Sequence, residues 1–178
     1  MTFSYQWLRN DVAIGGATSS AYTLVGADAG AVITVSVTGQ QAGYTPGTAV
    51  SAGTGMVGNG TLTTRVPTIS GTKRVGATLT AVPGTWGPGT VALSYQWLRG
   101  GVAIAGATTS HYVLGASDLG ATLKVTVTGT ELGFTSASAT SAATSTIALG
   151  TLTAPTPTVT GTRMIGSVLT AVPGTWGP

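Results

Sequence analysis

The chain has 178 residues, of which only 6% are charged and none is cysteine. An ordinary soluble protein has about 25% charged residues, so this surface must consist mainly of Thr, Ser, Gly and Ala. The apolar content of 42% excludes the disordered class. No apolar run approaches the roughly 18 residues of a membrane-spanning helix, and the seven scattered cations form no basic stripe for nucleic acid. Composition therefore predicts a weakly charged folded protein, with neither membrane insertion nor nucleic-acid binding.

Alternation of apolar and polar residues begins at the first residues of the chain. Phe3, Tyr5 and Trp7 are spaced by two, and the same spacing returns at Ile33, Val35 and Val37. A period of two is typical of a half-buried strand. The first 60 residues are therefore predicted to form strands with these side chains on the inner face.

The middle of the chain shows the same pattern over a longer stretch. Leu93, Tyr95 and Trp97 alternate with polar residues, and Gly-Pro turns separate short segments rich in Thr and Val. Seven short strands with such turns are typical of an antiparallel β-sandwich. The strands are predicted at 67–72, 76–82, 91–99, 102–105, 111–115, 121–129 and 134–147. In sandwich lettering 76–82 is strand B, 91–99 is strand C and 121–129 is strand F. Trp97 is predicted to be buried on strand C, and Trp7, which lies in the same motif near the start of the chain, is predicted to be buried on an equivalent strand C.

An internal repeat of 90 residues connects these segments. Pairing residues 1–88 with 91–178 needs no gap, and 47 of the 88 pairs are identical. The end of the chain, 156–178, corresponds to 66–88, and the beginning, 1–60, corresponds to 91–150. A repeat of this length indicates a tandem array of one supersecondary unit.

Four short motifs carry a resemblance to a known family. They are Tyr-Gln-Trp-Leu-Arg at 95–99, Val-Ala-Ile-x-Gly-Ala-Thr at 102–108, Asp-x-Gly at 118–120 and Val-x-Val-Thr-Gly at 125–129. In these motifs the chain resembles the bacterial, actinobacterial-type immunoglobulin-like tandem repeats of secreted or cell-surface proteins, over essentially its whole length. The resemblance implies tandem immunoglobulin-like sandwiches, an extracellular or cell-surface location, a role as stalk, spacer or adhesive module, and no catalytic residues.

The phase of the repeat predicts that the chain is permuted relative to the domain. Residues 1–63 form an incomplete domain from strand C onward, 64–153 a complete domain, and 154–178 strands A and B of a further domain. The connector 148–155 spans at most about 28 Å at roughly 3.5 Å per residue, so completion by the next chain is easier than return of the chain's own tail. Two accounts remain open, a native polymer and a window of a longer array, and both give a continuous fibre of repeats.

The assembly hypothesis predicts specific contacts across a chain boundary. The donated strand would contribute Leu169, Ala171 and Val172, and the accepting domain would contribute Tyr5, Trp7, Ile33 and Val35. Trp176 and its counterpart Trp86 lie beside the B–C loop, where an aromatic residue can stack on sugar or a neighbouring domain, or can pack over the end of the core. Copies of the chain are the expected partners, with glycan or cell wall as further candidates.

The sequence offers little chemistry for catalysis. The single histidine, His111, aligns with Ala21, and the four acids, Asp11, Asp28, Asp118 and Glu131, do not cluster. Asp28 and Asp118 share one repeat position and are expected to accept N–H bonds in a turn. We therefore expect no enzyme activity, no metal and no cofactor. The predicted function is a structural component of an extracellular fibre or stalk, and the alternative is a glycan- or surface-binding adhesive module of a larger secreted protein.

Overall fold

The computed structural model describes residues 1–177, which form an all-β protein with several antiparallel sheets, an architecture consistent with a β-sandwich. The chain divides into two compact units of discontinuous sequence. The first comprises Met1–Arg65, Thr85–Leu93 and Thr128–Ala139, and the second comprises Val66–Gly84, Ser94–Val127 and the residues from Thr140 onward. Among the described residues, none of the helical segments has the length and apolar character that crossing a membrane requires.

Fifteen strands and two short 3-10 turns make up the regular structure of residues 1–177. The turns are Gly26–Asp28 and Ala116–Asp118. The strands are β1 Thr2–Arg9, β2 Val12–Ala13, β3 Ile33–Gln40, β4 Gly47–Val50, β5 Gly60–Thr61, β6 Thr68–Ser70, β7 Thr78–Val82, β8 Ala92–Arg99, β9 Val102–Ala103, β10 His111–Val113, β11 Leu123–Thr130, β12 Phe134–Thr135, β13 Ala137–Thr140, β14 Thr158–Thr160 and β15 Thr170–Val172.

The first unit is built on one four-stranded sheet in the order β2-β1-β3-β4. β1 and β3 form an unbroken antiparallel ladder in which Tyr5 is opposite Val37 and Trp7 is opposite Val35. Since side chains alternate across a strand, these four apolar residues share one face of the sheet. A short parallel pair, β5 with β12, also belongs to this unit.

The second unit contains the main hydrophobic core. A three-stranded sheet, β10-β7-β6, and a four-stranded sheet, β13-β11-β8-β9, contribute side chains to it. Trp97 on β8 is completely buried, its indole Nε1 donates to the Thr109 carbonyl at 2.9 Å, and its ring stacks on Tyr112 with centroids 5.7 Å apart. The buried members of the core are Leu79, Ala81, Trp97, Leu114, Leu123, Val125 and Ile147.

The end of the chain forms a separate antiparallel hairpin within the second unit. β14 pairs with β15, with Thr158 opposite Val172 and Thr160 opposite Thr170. From position 156 to position 176 every residue is exposed. The hairpin therefore has regular backbone pairing but no buried side-chain face.

The predicted strands agree with the observed ones except at the end of the second copy. The prediction of one strand over 134–147 is wrong, because regular pairing ends at Thr140. Beyond that point hydroxyl groups accept hydrogen bonds in place of backbone carbonyls: Ser141 Oγ accepts from the Val125 N–H at 3.0 Å, and Thr144 Oγ1 from the Leu123 N–H at 3.0 Å. These side-chain acceptors hold the segment against β11 without a continuous ladder.

The prediction that both strand C tryptophans are buried is correct for Trp97 and wrong for Trp7, which is only partly buried. We therefore expect Trp97→Ala to lower the free energy of unfolding by about 3–5 kcal/mol, the usual range for a buried aromatic residue. Trp7→Ala, the matched substitution 90 residues earlier, should have a clearly smaller effect. Urea denaturation of both variants, at low protein concentration, measures the difference. Equal losses would contradict the structure.

Candidate assembly surfaces

Some apolar residues of the core of the second unit have counterparts 90 residues earlier that are less buried. Leu114 is 1% exposed and its counterpart Leu24 is 53% exposed. Val125 is completely buried, whereas its counterpart Val35 is only partly buried. The inner face of the sheet β2-β1-β3-β4 is thus an open apolar surface. We call it the acceptor face; its members are Tyr5, Trp7, Leu24, Val35 and Val37.

One edge beside this face lacks a strand. In the second unit β10 exists because it pairs with β7, with Tyr112 opposite Leu79. The corresponding segment of the first unit, residues 21–23, has no regular structure, although Tyr22 and Tyr112 are identical. The flanking residues differ, with Ala21 and Thr23 in place of His111 and Val113, and no strand of the described residues pairs with 21–23.

Buried carboxylates hold the ends of both sheets in the same way. Asp28 is fully buried and accepts hydrogen bonds from Arg9 Nε at 2.7 Å, from the Tyr22 hydroxyl at 3.0 Å and from the Val25 N–H at 2.7 Å. Asp118, equally buried, accepts from Arg99 Nε at 2.6 Å, from Tyr112 and from the Gly115 N–H at 2.7 Å. The expectation that these aspartates accept turn N–H bonds is confirmed. In the first unit these bonds connect the end of β1 to the turn that follows residue 25.

The charge state of Asp28 reflects two opposing effects. Burial by itself raises the pKa of this carboxyl, but the hydrogen bonds from Val25, Arg9 and Tyr22, with the charge of Arg9, outweigh it and hold the pKa below its ordinary value. A carboxyl whose pKa is lowered on folding stabilises the folded state at neutral pH. That contribution is complete above the unfolded-state pKa, about 3.9, and is lost as the pH falls through the lowered folded-state value.

The terminal hairpin reproduces the β6–β7 pairing residue for residue. Thr68 is opposite Val82 and Ser70 is opposite Thr80, and the same pairs occur 90 residues later in β14–β15. The environments differ: Leu79 is completely buried, whereas its counterpart Leu169 is 53% exposed. The face of the hairpin that carries Leu169 and Ala171 is called the donor face.

Trp86 and Trp176 lie in different environments despite identical flanking residues. Trp86 is 7% exposed and lies over Gly129, where an added Cβ would come within 2.7 Å of its ring. Trp86 is therefore buried by packing over the backbone of Gly129. Trp176 is 54% exposed, with its Nε1 donating to the Pro173 carbonyl at 3.1 Å.

The predicted assembly residues fall into two groups. Tyr5, Trp7, Ile33 and Val35 lie on one sheet of the first unit, and Leu169, Ala171, Val172 and Trp176 are exposed in the second. Two of these residues differ from the others in their surroundings. Ile33 is already 2% exposed without any donor, and the counterpart of Val172, Val82, is 45% exposed on the outer side of β7. Alternation along the strand thus directs Val172 away from a core.

Sequence reasoning missed the segment 21–23 and the residues that surround Asp28. Arg9, Tyr22 and Asp28 are each identical to the residue 90 positions later, and this identity was the available signal. Nothing local marks 21–23 as an unpaired edge, since the missing partner is remote in sequence.

The described residues also place the few groups capable of chemistry. Residues 1–177 contain no cluster of three or more His, Cys, Asp or Glu side chains that could hold a metal ion. His111 is exposed, with its Nδ1 3.0 Å from Ser110 Oγ. The acceptor face and the donor face are therefore the candidate functional surfaces. Comparison of the chain with models of protein families, with curated proteins and with solved structures finds no match.

We expect Asp28→Asn to lower the free energy of unfolding of the first unit by about 1.5–3 kcal/mol at neutral pH. Hydrogen bonds to a charged carboxylate are replaced by weaker ones, and the NH2 group of the asparagine cannot accept a hydrogen bond from the Val25 N–H or from Arg9. The difference from the parent chain should shrink as the pH falls through the lowered folded-state pKa of Asp28, because the parent carboxylate then becomes protonated. Urea denaturation across this pH range measures both effects. Asp11→Asn, at an exposed position, is the control and should have little effect at any pH. A deficit that persists unchanged in acid would contradict this role of the charge.

Proposed function

We propose that the protein is a structural component of an extracellular fibre or cell-surface stalk, built from 90-residue immunoglobulin-like repeats joined head-to-tail. In this arrangement the hairpin within residues 156–177 of one copy completes the sandwich begun by residues 1–60 of the next. The observation that carries the proposal is the pair β7 and β15, which share sequence and register. The apolar face of β7 is buried in a core, and that of β15 is exposed.

The acceptor face supplies the matching half of a core. In the second unit, Leu79 and Ala81 of β7 belong to the same buried cluster as Trp97, Leu123 and Val125. The counterparts of the last three are Trp7, Ile33 and Val35, on one face of the sheet β2-β1-β3-β4. Leu169 and Ala171 of a second copy would therefore meet the same kinds of side chain that Leu79 and Ala81 meet within one chain.

The proposed junction has a defined backbone register. β10 pairs with β7 so that His111 is opposite Thr80 and Val113 is opposite Thr78. Shifting both strands by 90 residues places Ala21 opposite Thr170 and Thr23 opposite Val168 of the donating copy. Such strand addition combines backbone hydrogen bonds for affinity with alternate side chains for register.

Burial of exposed apolar surface favours the association. Leu169 is 53% exposed, Ile165 is fully exposed and Leu24 is 53% exposed. Burying a side chain of this size completely stabilises by roughly 1.5–3 kcal/mol relative to leaving it in water. The Asp28 hydrogen bonds already connect β1 to the turn at Val25, and the hairpin is already paired, so the ordering that docking requires falls mainly on residues 21–23.

Donor and acceptor are different surfaces, and this determines the form of the assembly. A contact between unlike surfaces is heterologous, so it propagates into a filament unless the rotation between copies closes a ring. With only 6% charged residues, the chains have little charge repulsion to oppose such growth. The extracellular setting and the immunoglobulin-like class are supported by the family resemblance of the motifs.

The experiment compares single substitutions at two neighbouring residues that directly precede β15. We expect Leu169→Asp to abolish association of the full chain, because it places a charge where the proposed core lies. Val168→Asp is the matched control: Val168 is 83% exposed, and its counterpart Thr78 is exposed in the second unit. Sedimentation velocity over a range of concentrations, with electron microscopy of the largest species, measures assembly.

Both substituted positions are exposed in a single chain, so neither variant should lose stability when dissociated. The proposal predicts filaments or oligomers for the parent chain and for Val168→Asp, and monomers for Leu169→Asp. Monomers of the parent chain at every concentration, or assembly that Leu169→Asp leaves intact, would overturn it.

A further inference from the structure

An open apolar pocket lies at one end of the acceptor face. It has a volume of about 750 Å³ and is lined within the first unit by Met1, Phe3, Val37, Gly39, Gln41, Tyr44, Thr45, Gly47, Thr48 and Ala49. None of these side chains is charged. We propose that this pocket receives the indole ring of Trp176 from a second copy of the chain, an inference that rests on the function proposed above and identifies the anchor residue of the junction.

The filled form of this pocket is visible elsewhere in the same molecule. Trp86 is 7% exposed and lies directly over the backbone of Gly129. A Cβ built on Gly129 would come within 2.7 Å of Cε3 of that indole and 2.8 Å of Val91. The indole ring therefore packs directly on the backbone of Gly129, and any side chain at this position would displace the ring. The counterparts of Gly129 and Val91 are Gly39 and Met1, which both line the open pocket.

The proposed occupant of the pocket is the exposed indole of Trp176. The ten residues Leu169–Pro178 are identical to Leu79–Pro88, so Trp176 belongs to the same local sequence as Trp86. Its indole is 54% exposed, against 7% for Trp86. The bond from its Nε1 to the Pro173 carbonyl, 3.1 Å long, already holds the ring in position. A rigid aromatic residue of this kind is a typical anchor at the centre of a protein interface.

Phe3 partly occupies the place that the indole would take. A Cβ on Gly39 would lie 3.3 Å from Cε1 of Phe3, so the phenyl ring leans over the glycine, yet the side chain as a whole is 57% exposed. The residue 90 positions after Phe3 is Leu93. Docking therefore requires the Phe3 ring to swing off Gly39, a rotamer change within a pocket that is already open.

The test uses substitutions that alter the pocket and the ring separately. Gly39→Ala adds a methyl group that a single chain tolerates, since only the tip of the Phe3 ring is near, but that would collide with a docked indole. Its matched control is Gly15→Ala, where nothing lies within 4 Å and the counterpart, residue 105, is already alanine. Trp176→Ala removes the ring. Its control is Met164→Ala, an exposed apolar side chain whose counterpart Arg74 is also exposed.

We expect Trp176→Ala and Gly39→Ala each to weaken association of the full chain about 30-fold or more, the effect of losing one strong anchor. The controls should stay within about threefold of the parent chain. The double variant should associate no more weakly than the weaker-associating single variant, because both substitutions remove the same contact between the indole and the pocket. Sedimentation equilibrium gives the association constants, and denaturation below the association threshold checks that Gly39→Ala retains parental stability.

The outcomes separate this inference from the proposed function. Assembly that Leu169→Asp abolishes but that Trp176→Ala and Gly39→Ala leave unchanged would overturn the pocket assignment while the hairpin junction stands. Additive losses in the double variant would also overturn it, since they would mean that the two residues act separately. Failure of the parent chain to associate, or a compact monomer whose own Trp176 is buried, would overturn the role of a second copy.

Discussion

The packing of β7 across a Trp-bearing sheet is the constraint on which the rest of the structure depends. Leu79 and Ala81 close the core over Trp97, Leu123 and Val125, and all five are buried together. β7 also provides the pairing edge for β10, so it contributes both a side-chain layer and a backbone ladder. In the first unit the corresponding sheet, β2-β1-β3-β4, also forms, but residues 21–23 lack regular pairing and Leu24 is 53% exposed.

The first unit remains ordered because a different interaction holds it. The hydrogen bonds of Asp28 join β1, through Arg9, to the turn that contains Val25. Trp7 Nε1 donates to the Ser19 carbonyl at 2.9 Å, as Trp97 does to Thr109. These bonds lie within residues 1–60 and need no strand from outside. Polar groups thus connect the sheet to its loops, and the proposed docking would add an apolar layer to a surface that is already ordered.

Low charge and exposed apolar surface act in the same direction. Exposed apolar patches of appreciable size usually indicate an interaction site, and here two of them are complementary by sequence. The hairpin β14–β15 adds a third feature, since an isolated two-stranded hairpin is marginally stable in water. Docking would give it the side-chain layer that β6–β7 already has, so that the proposed junction would stabilise donor and acceptor together.

Sequence by itself determined the all-β class and most strand positions, because an apolar spacing of two directly reflects the two faces of a strand. It also identified Asp28 and Asp118 as turn acceptors. Only the tertiary structure decided which apolar residues are covered. Trp7 and Trp97 have the same local sequence, and so do Trp86 and Trp176, yet their burial differs. Local sequence specifies the direction in which a side chain points along a strand, whereas burial depends on a second layer from a distant segment.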